Sequence, residues 1–378
     1  MTETKHIHGL LSLTAPLHVA APGDYHVTMD EVRGLSAPKV GRAPKDGSNY
    51  GCTALQTMRV AVSDDERQAR AENPAAARKS NVEELPFISA NSIRGRLRRA
   101  ACDVVFEALT ARGEKLSLGA YHGMMCGAVT GRPSKRLTFD YIQAARKHPF
   151  LGVFGGGPGL VPSSARIHTA WPIVAATVDG GFIPAKIADG ATVGDYANTF
   201  RLRQVLFQKR IDDAIVFRGV DSVELIVNDY AKELVEWAKV VAPVKDEAGK
   251  VSRAKDKLEN FVSFEIVVPG TKFYLPLELD IEHVGLAGYG LFLQALSLFV
   301  KKHGRFLGGM TRHGFGAYSA KWTDDGGGRV LTDLGEPNSE NESVAEALAA
   351  WEEAKGAISA AEIETLYALE KTDEAIPD

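Results

Sequence analysis

The chain has 378 residues, 45% of them hydrophobic and 24% charged, with a formal net charge of -4. That composition excludes a disordered or collagen-like chain and is sufficient for a full buried core. The three cysteines, Cys52, Cys102 and Cys126, form no C-x-x-C pair, which argues against a disulfide framework or a zinc site and fits a reducing compartment.

The net charge conceals an asymmetry. From Asp324 to Asp378 there are 15 acidic residues against 3 basic, which leaves 41 basic against 33 acidic over 1–323. A basic body with an acidic tail favours a polyanionic partner over an acidic or neutral one. The first residues carry no charged-then-apolar targeting pattern. The apolar stretch Val284–Val300 is interrupted by Gly285, Gly288, Gly290, Gln294 and Ser297, so it reads as a buried helix rather than a membrane span. A cytoplasmic protein is expected.

Taken in order, residues 6–20 read as a strand, with Ile7, Leu11, Leu13 and Val19 apolar. Residues 21–52 form a long Gly/Pro/Lys-rich loop carrying Lys39, Arg42 and Lys45. Thr53–Val62 is a second strand, and 63–84 is a polar, charged loop or short helix. Leu85–Ile88 is a short strand feeding a helix from Ser92 to Arg112, with Asn91 as its N-cap and Gly113 as its stop. Ile93, Leu97, Ala100, Ala101, Val104 and Ala108 recur at helical spacing and predict one buried stripe. Arg94 and Arg98 stand four apart, and Arg96 and Arg99 three apart, so the arginines line a neighbouring face. A helix that starts positive opposes its own macrodipole, which an external anion at that end would relieve.

Residues 114–164 are Gly-rich, with a helix near Phe139–Lys147. Arg166–Val178 reads as a strand and Gly180-Gly181 as a turn. Over 182–260 short elements alternate with charged connections. Arg201, Arg203, Lys209 and Arg210 interleave there with Phe200, Leu202, Leu206 and Phe207. Phe261–Val268 and Lys272–Ile281 alternate and are joined by Pro269-Gly270-Thr271, a hairpin signal. A helix follows from Gly285 to Lys302, then a glycine loop, Gly308–Gly316, and a last strand, Phe315–Trp322. Residues 340–371 read as two short acidic helices, docked or tethered. This order suggests an α+β chain of βαββαβ, ferredoxin-like type with large insertions.

Two stretches carry the chemistry. Leu85–Arg99 delivers a strand into the N-terminus of an arginine-rich helix, and Phe306–Tyr318 is a glycine loop running into a strand. Both bring main-chain N–H groups and cations toward phosphate. The run Ile88-Ser89-Ala90-Asn91-Ser92-Ile93-Arg94-Gly95-Arg96-Leu97-Arg98 and the loop ending Gly314-Phe315-Gly316 resemble the RAMP superfamily of CRISPR-associated proteins, in particular its Cas-seven-type backbone subunits. Ser92, Gly95, Leu97 and Arg98 keep the residue types of the family's first-helix motif, whereas Ser89-Ala90 replaces its usual Pro-Gly. His8–His18 also looks like the family's opening strand. Distance from the common pattern and the acidic extension make a type IV subunit the nearest subgroup.

The resemblance implies a ferredoxin-like palm over 1–323, with finger insertions at about 21–84 and 114–164, a thumb at about 180–260, and an acidic helical tail at 324–378. It implies a subunit that polymerises head to tail on CRISPR RNA. The partners would be neighbouring copies, effector subunits of the Cas-five-like and large-subunit-like kinds, and target DNA or RNA reached through the guide. Sequence specificity would then rest on base pairing.

Asn91, Ser92 and Arg94 are the first candidates for RNA phosphate contact, followed by Arg96, Arg98 and Arg99. Gly309, Arg312 and His313 in the glycine loop come next. Lys39, Arg42, Lys45, Arg201 and Arg203 are further basic candidates, with Lys135 and Arg136 weaker, and Phe200 or Phe207 could stack on bases. Gly155-Gly156-Gly157-Pro158-Gly159 lacks the Lys-Ser/Thr of a nucleotide loop. His6 and His8 share a strand face without a third ligand, so no metal or cofactor is expected. Asp24, Asp30 and Asp46 sit in no matching catalytic context, and the expectation is a protein without enzymatic activity. The other readings are a RAMP-type endoribonuclease that processes CRISPR RNA, with His18 or His26 as general base, or cuts target RNA, and a non-CRISPR single-strand RNA-binding protein.

Overall fold

The computed structural model describes residues 3–27, 50–61, 68, 72, 82–127, 138–158, 160–184, 186–187, 202–211 and 259–367. Along the chain lie β1 (Thr4–Leu13), β2 (Ala20–Val27), β3 (Tyr50–Leu55), β4 (Thr57–Ala61), β5 (Val82–Pro86), α1 (Ala90–Ala111), α2 (Leu118–Cys126), α3 (Phe139–Lys147) and α4 (Pro149–Phe154). There follow β6 (Ala165–Ile167), β7 (Trp171–Pro172), α5 (Ala175–Asp179), β8 (Arg203–Ile211), β9 (Glu259–Val267), β10 (Lys272–Asp280) and α6 (Gly285–Leu298). A π-turn (Phe299–His303), a 3-10 turn (Thr311–His313), β11 (Tyr318–Asp324), α7 (Glu342–Lys355) and α8 (Ala360–Tyr367) complete the described chain. The fold is thus a mixed α+β one, in two compact units.

The first unit comprises Met1–Val19, Gln56–Leu202 and Val267–Asp378. Its main sheet has the order β11-β1-β10-β6, every neighbour antiparallel, with β7 also on β10. Alternation along β1 buries Ile7, Leu11 and Leu13 on one side of the sheet, as period-2 patterning requires. α6 is apolar nearly all round and packs against α1, α4 and α7. β4 and β5 pair separately, and Val60 and Leu85 pack with Val174 and Leu202.

The second unit comprises Ala20–Leu55 and Arg203–Ile266 and holds the sheet β2-β3-β9-β8. Its buried side chains include Cys52, Leu55, Val205, Phe264 and Ile266. Glu265, fully buried, accepts from Arg203 Nε at 2.5 Å and from the Leu55 amide at 3.0 Å.

Several sequence expectations change. The strand expected over 6–20 ends at Leu13, and the loop expected over 21–52 begins and ends in strand, since Ala20–Val27 pairs with Tyr50–Leu55. The turn at Pro269-Gly270 forms, yet β9 and β10 do not pair as a hairpin: both sides of β10 are taken by β1 and by β6 and β7, while β9 pairs within the other sheet. Arg166–Val178 is not one strand but two short ones and a helical turn, because Thr177 Oγ1 donates to the Pro172 and Val174 carbonyls and folds the chain back. Thr53–Val62 breaks at Gln56, whose amide turns to the Val19 carbonyl at 2.7 Å.

The two acidic helices dock. Arg112 donates to the Lys355 carbonyl at 3.2 Å and to the Ile358 carbonyl, Glu114 accepts from the Ala360 amide at 2.6 Å, and Glu364 accepts from Ser117 Oγ at 2.8 Å. Val344, Trp351, Ile363 and Tyr367 are buried in this packing. No helix among the described residues is long and apolar enough to cross a membrane.

Candidate nucleic-acid interface

The entry to α1 is built by Ser89, not Asn91. Ser89 has extended φ and ψ of -66° and 139°, and its hydroxyl accepts from the Ser92 amide at 3.3 Å. The cap lies two residues earlier than expected because the strand ends at the Ile88–Ala170 bridge. Asn91 and Ser92 therefore sit in the first turn with exposed side chains. The helix closes as anticipated at Gly113: its amide donates to Thr110, and the Glu114 amide to Leu109, with Gly113 at φ 73°.

The arginines divide by what they touch. Arg98 is 5% exposed. Its Nε donates to the Met124 carbonyl at 2.5 Å, Nη1 to the carbonyls of Phe154 and Gly155 at 3.1 and 3.0 Å, and Nη2 to Tyr367 Oη at 3.4 Å. The Phe150 ring lies 5.3 Å below it. This guanidinium is spent inside the fold, and burial lowers its pKa from the usual arginine value. Sequence spacing gave no sign of this, since Arg98 shares a helix row with Arg94.

Arg96 is half-buried and joins the two motifs. Its Nη1 donates to the Phe306 carbonyl and its Nη2 to the Gly308 carbonyl at 3.2 Å. Burial, then the neighbouring Arg99 charge, lowers its pKa from the usual value. Arg94 is exposed, and its Nη2 donates to the Phe154 carbonyl at 3.0 Å. Arg99 is exposed, with no hydrogen-bond or ion-pair partner among the described residues. None of these four arginines meets a carboxylate among the described residues. One turn further on, Asp103 accepts from Lys302 at 2.7 Å and contacts His303 Nε2 at 2.8 Å, so charge is balanced there. Along α1, the arginines without a carboxylate partner among the described residues lie in its first three turns, at 94–99.

The glycine loop lies against this entry. The Gly309 amide donates to the His18 carbonyl at 2.7 Å, so it is turned inward and not offered to a ligand. Arg312 and His313 form an exposed 3-10 turn closed by Gly314 at φ 77°. Gly316 returns the loop to the sheet: its amide donates to the Pro16 carbonyl at 2.7 Å, its carbonyl accepts from the Leu307 amide at 2.9 Å, and a Cβ there would collide with the Leu307 carbonyl. The structure thus ties Arg96 to the glycine loop that carries Arg312 and His313, whereas Arg94 and Arg98 both turn to the Phe154 carbonyl.

Arg203 belongs to the second unit and is paired with buried Glu265. Lys39, Arg42, Lys45, Arg201, Lys135, Arg136, Phe200, Asp30 and Asp46 lie outside the described residues, as do the side chains of Asp24, His26 and Phe207. His18 is 3% exposed beneath the loop. The turn at Gly155 directs its carbonyl at Arg98, the reverse of a phosphate cradle. His8 is held between Tyr274 Oη at 2.8 Å and Asp325 at 2.9 Å, and no group of three metal-ligating side chains occurs among the described residues.

No family model matches the chain, and no curated protein matches it. Among solved structures it is similar to a chain of one titled "Type IV-B CRISPR Complex", at 14% identity and a TM-score of 0.42, over 84% of this chain and 90% of that one.

Proposed function

We propose that this protein is a non-catalytic backbone subunit of a type IV-like CRISPR effector complex, gripping CRISPR RNA by its phosphates with a ferredoxin-like palm. Copies assemble head to tail along the guide, beside other effector subunits, and leave bases free to pair with a target. The motif resemblance over Ile88–Arg98 and Gly308–Gly316 supports the family reading. The sheet order β11-β1-β10-β6, with α1 between β1 and β6 and α6 between β10 and β11 along the chain, supports the palm.

One observation carries the RNA reading. Arg96 ties the arginine helix to the glycine loop that carries exposed Arg312 and His313, and the exposed arginines of α1, Arg94 and Arg99, meet no carboxylate among the described residues. A polyanion supplies the missing counter-charge. Backbone contacts of this kind position a strand without reading its sequence. The test is purification of the full chain from its host, with sequencing of any RNA that travels with it. Repeat-spacer RNA protected at regular intervals is the expected result. Protein free of nucleic acid, or carrying RNA of arbitrary origin, overturns the proposal.

A further inference from the structure

Among the described strands the sheet ends on one side at β11, whose strand partner is β1. On its outer side the Gly316 carbonyl accepts from Leu307 and the Trp322 carbonyl from Val330, each at 2.9 Å. Alternation places the N–H and C=O of Tyr318 and Ala320 on that same outer side. The Tyr318 N–H faces the Arg305 carbonyl through the Phe306–Ala317 bridge, whereas the Tyr318 carbonyl and both main-chain groups of Ala320 have no backbone partner among the described residues. A cleft of about 520 Å³ lies along this gap. Its charged lining is Lys272, Arg305 and Lys321 against Asp333 alone, and Asp333 already pairs with Arg329 at 3.0 Å. None of the three cations has an ion-pair partner among the described residues. Trp322, 2% exposed, and Tyr318 form the inner wall, and the indole N–H and phenol hydroxyl are buried with no hydrogen-bond partner.

We propose that this cleft holds one nucleotide of a single strand, its phosphate between Arg305 and Lys321 and its base and sugar over the open main-chain groups of Tyr318 and Ala320. The volume suits a ligand of that size. Arg305 immediately precedes Phe306, whose carbonyl Arg96 holds, so the cleft continues the path of the strand beyond the glycine loop. An acidic peptide adding as a strand to β11 is disfavoured. The gap spans two outward residues and is closed at both ends by Leu307 and Val330, whereas an added strand ordinarily pairs over five or six residues.

The inference rests on the RNA reading, and its test separates the two. A 12-nucleotide RNA of mixed sequence carrying 4-thiouridine is crosslinked to the full chain, and the crosslinked peptides are mapped by mass spectrometry. The same RNA is titrated against Arg305→Ala/Lys321→Ala and against a control with equal charge loss, Lys115→Ala/Lys147→Ala, all four positions being exposed. Crosslinks within 318–322, roughly tenfold weaker binding and a salt slope shallower by about 1.4 in the first variant only are the expected results. RNA bound by the wild type with crosslinks confined to 91–99 and 311–313, and equal binding by both variants, overturns the cleft and leaves the RNA reading standing. No RNA binding by the wild type overturns both. A 12-residue poly-glutamate that binds the cleft where the RNA does not assigns it to an acidic peptide and also overturns the inference.

Discussion

Arg96 donates to the carbonyl of Gly308 at 3.2 Å and, through its other terminal nitrogen, to that of Phe306, so a helix residue fixes the course of a loop more than two hundred positions away in the chain. The bond is made to main-chain oxygens, which turns those acceptors toward the protein and leaves the outer side of the loop to its cations. Arg96 thereby positions the loop that carries Arg312 and His313.

Arg96→Ala should therefore act on stability and binding together. Two hydrogen bonds from a half-buried cation are lost and two carbonyls lose a partner, a cost of about 1–3 kcal/mol. Urea unfolding measures the first effect and RNA titration the second. Lysine at this position can reach one carbonyl but not span both, so Arg96→Lys should recover only part of either. A variant with wild-type stability and weakened binding would place Arg96 on the RNA directly.

Arg99 and Arg98 should separate cleanly, though they are adjacent in sequence. Arg99→Ala removes an exposed, unpaired cation, so its unfolding midpoint should match the wild type. RNA affinity should fall about five- to tenfold at low salt, with a log–log salt slope shallower by about 0.7. Arg98→Ala leaves the Met124 and Gly155 carbonyls and the Tyr367 hydroxyl without their donor, the Phe154 carbonyl keeping that of Arg94, and should unfold the chain or weaken it by several kcal/mol before binding can be measured. Equal stability of the two variants would contradict the division between inner and outer arginines.

Gly314 and Gly316 both have φ of 77°, but their surroundings differ. A Cβ on Gly314 meets nothing within 4 Å, so Gly314→Ala costs only the left-handed backbone strain, about 1 kcal/mol. A Cβ on Gly316 collides with the Leu307 carbonyl and displaces the bond that closes the loop. Gly316→Ala should lower the melting temperature well beyond Gly314→Ala and reduce RNA binding with it. Indistinguishable melting curves would show that the loop yields at both positions.

What the sequence disclosed depended on range. Helices with a regular apolar stripe were legible: α1 was expected over Ser92–Arg112 and occupies Ala90–Ala111, and α3 has the expected bounds. Local turn chemistry at Gly113 and Pro269-Gly270 was legible too. Strand partners were not, because alternation shows that Lys272–Asp280 is a strand but not that β1 and β6 take both its edges before β9 can. The role of Arg98 was hidden for the same reason. Its acceptors come from Met124, from Phe154 and Gly155, and from Tyr367, three separate places in the chain, and no spacing within the helix announces them. The docking of 342–367 likewise depends on Arg112 and Glu114, which in sequence look like ordinary surface charge at a helix end.

Acid should destabilise the fold through His148. Its Nδ1 accepts from the amides of Phe150 and Leu151, both at 3.2 Å, and so caps α4 only while that nitrogen is unprotonated. The ring is 3% exposed and Nε2 has no partner, so no group stabilises a positive charge. Burial pushes its pKa down to about 4, from 6.5. The unfolded chain therefore takes up the proton at higher pH than the folded one. The stability due to the neutral ring is complete above about pH 6.5 and is lost as pH falls from there toward 4, by a total on the order of 3 kcal/mol. Asparagine keeps a capping acceptor and does not titrate. Urea midpoints measured between pH 8 and pH 4 should fall more steeply for the wild type than for His148→Asn, with the two curves diverging below about 6.5. Parallel curves would assign the acid sensitivity to other groups, such as Asp103 and Glu114, whose carboxyls are held below their usual range by Lys302, His303, Arg112 and the Ala360 amide.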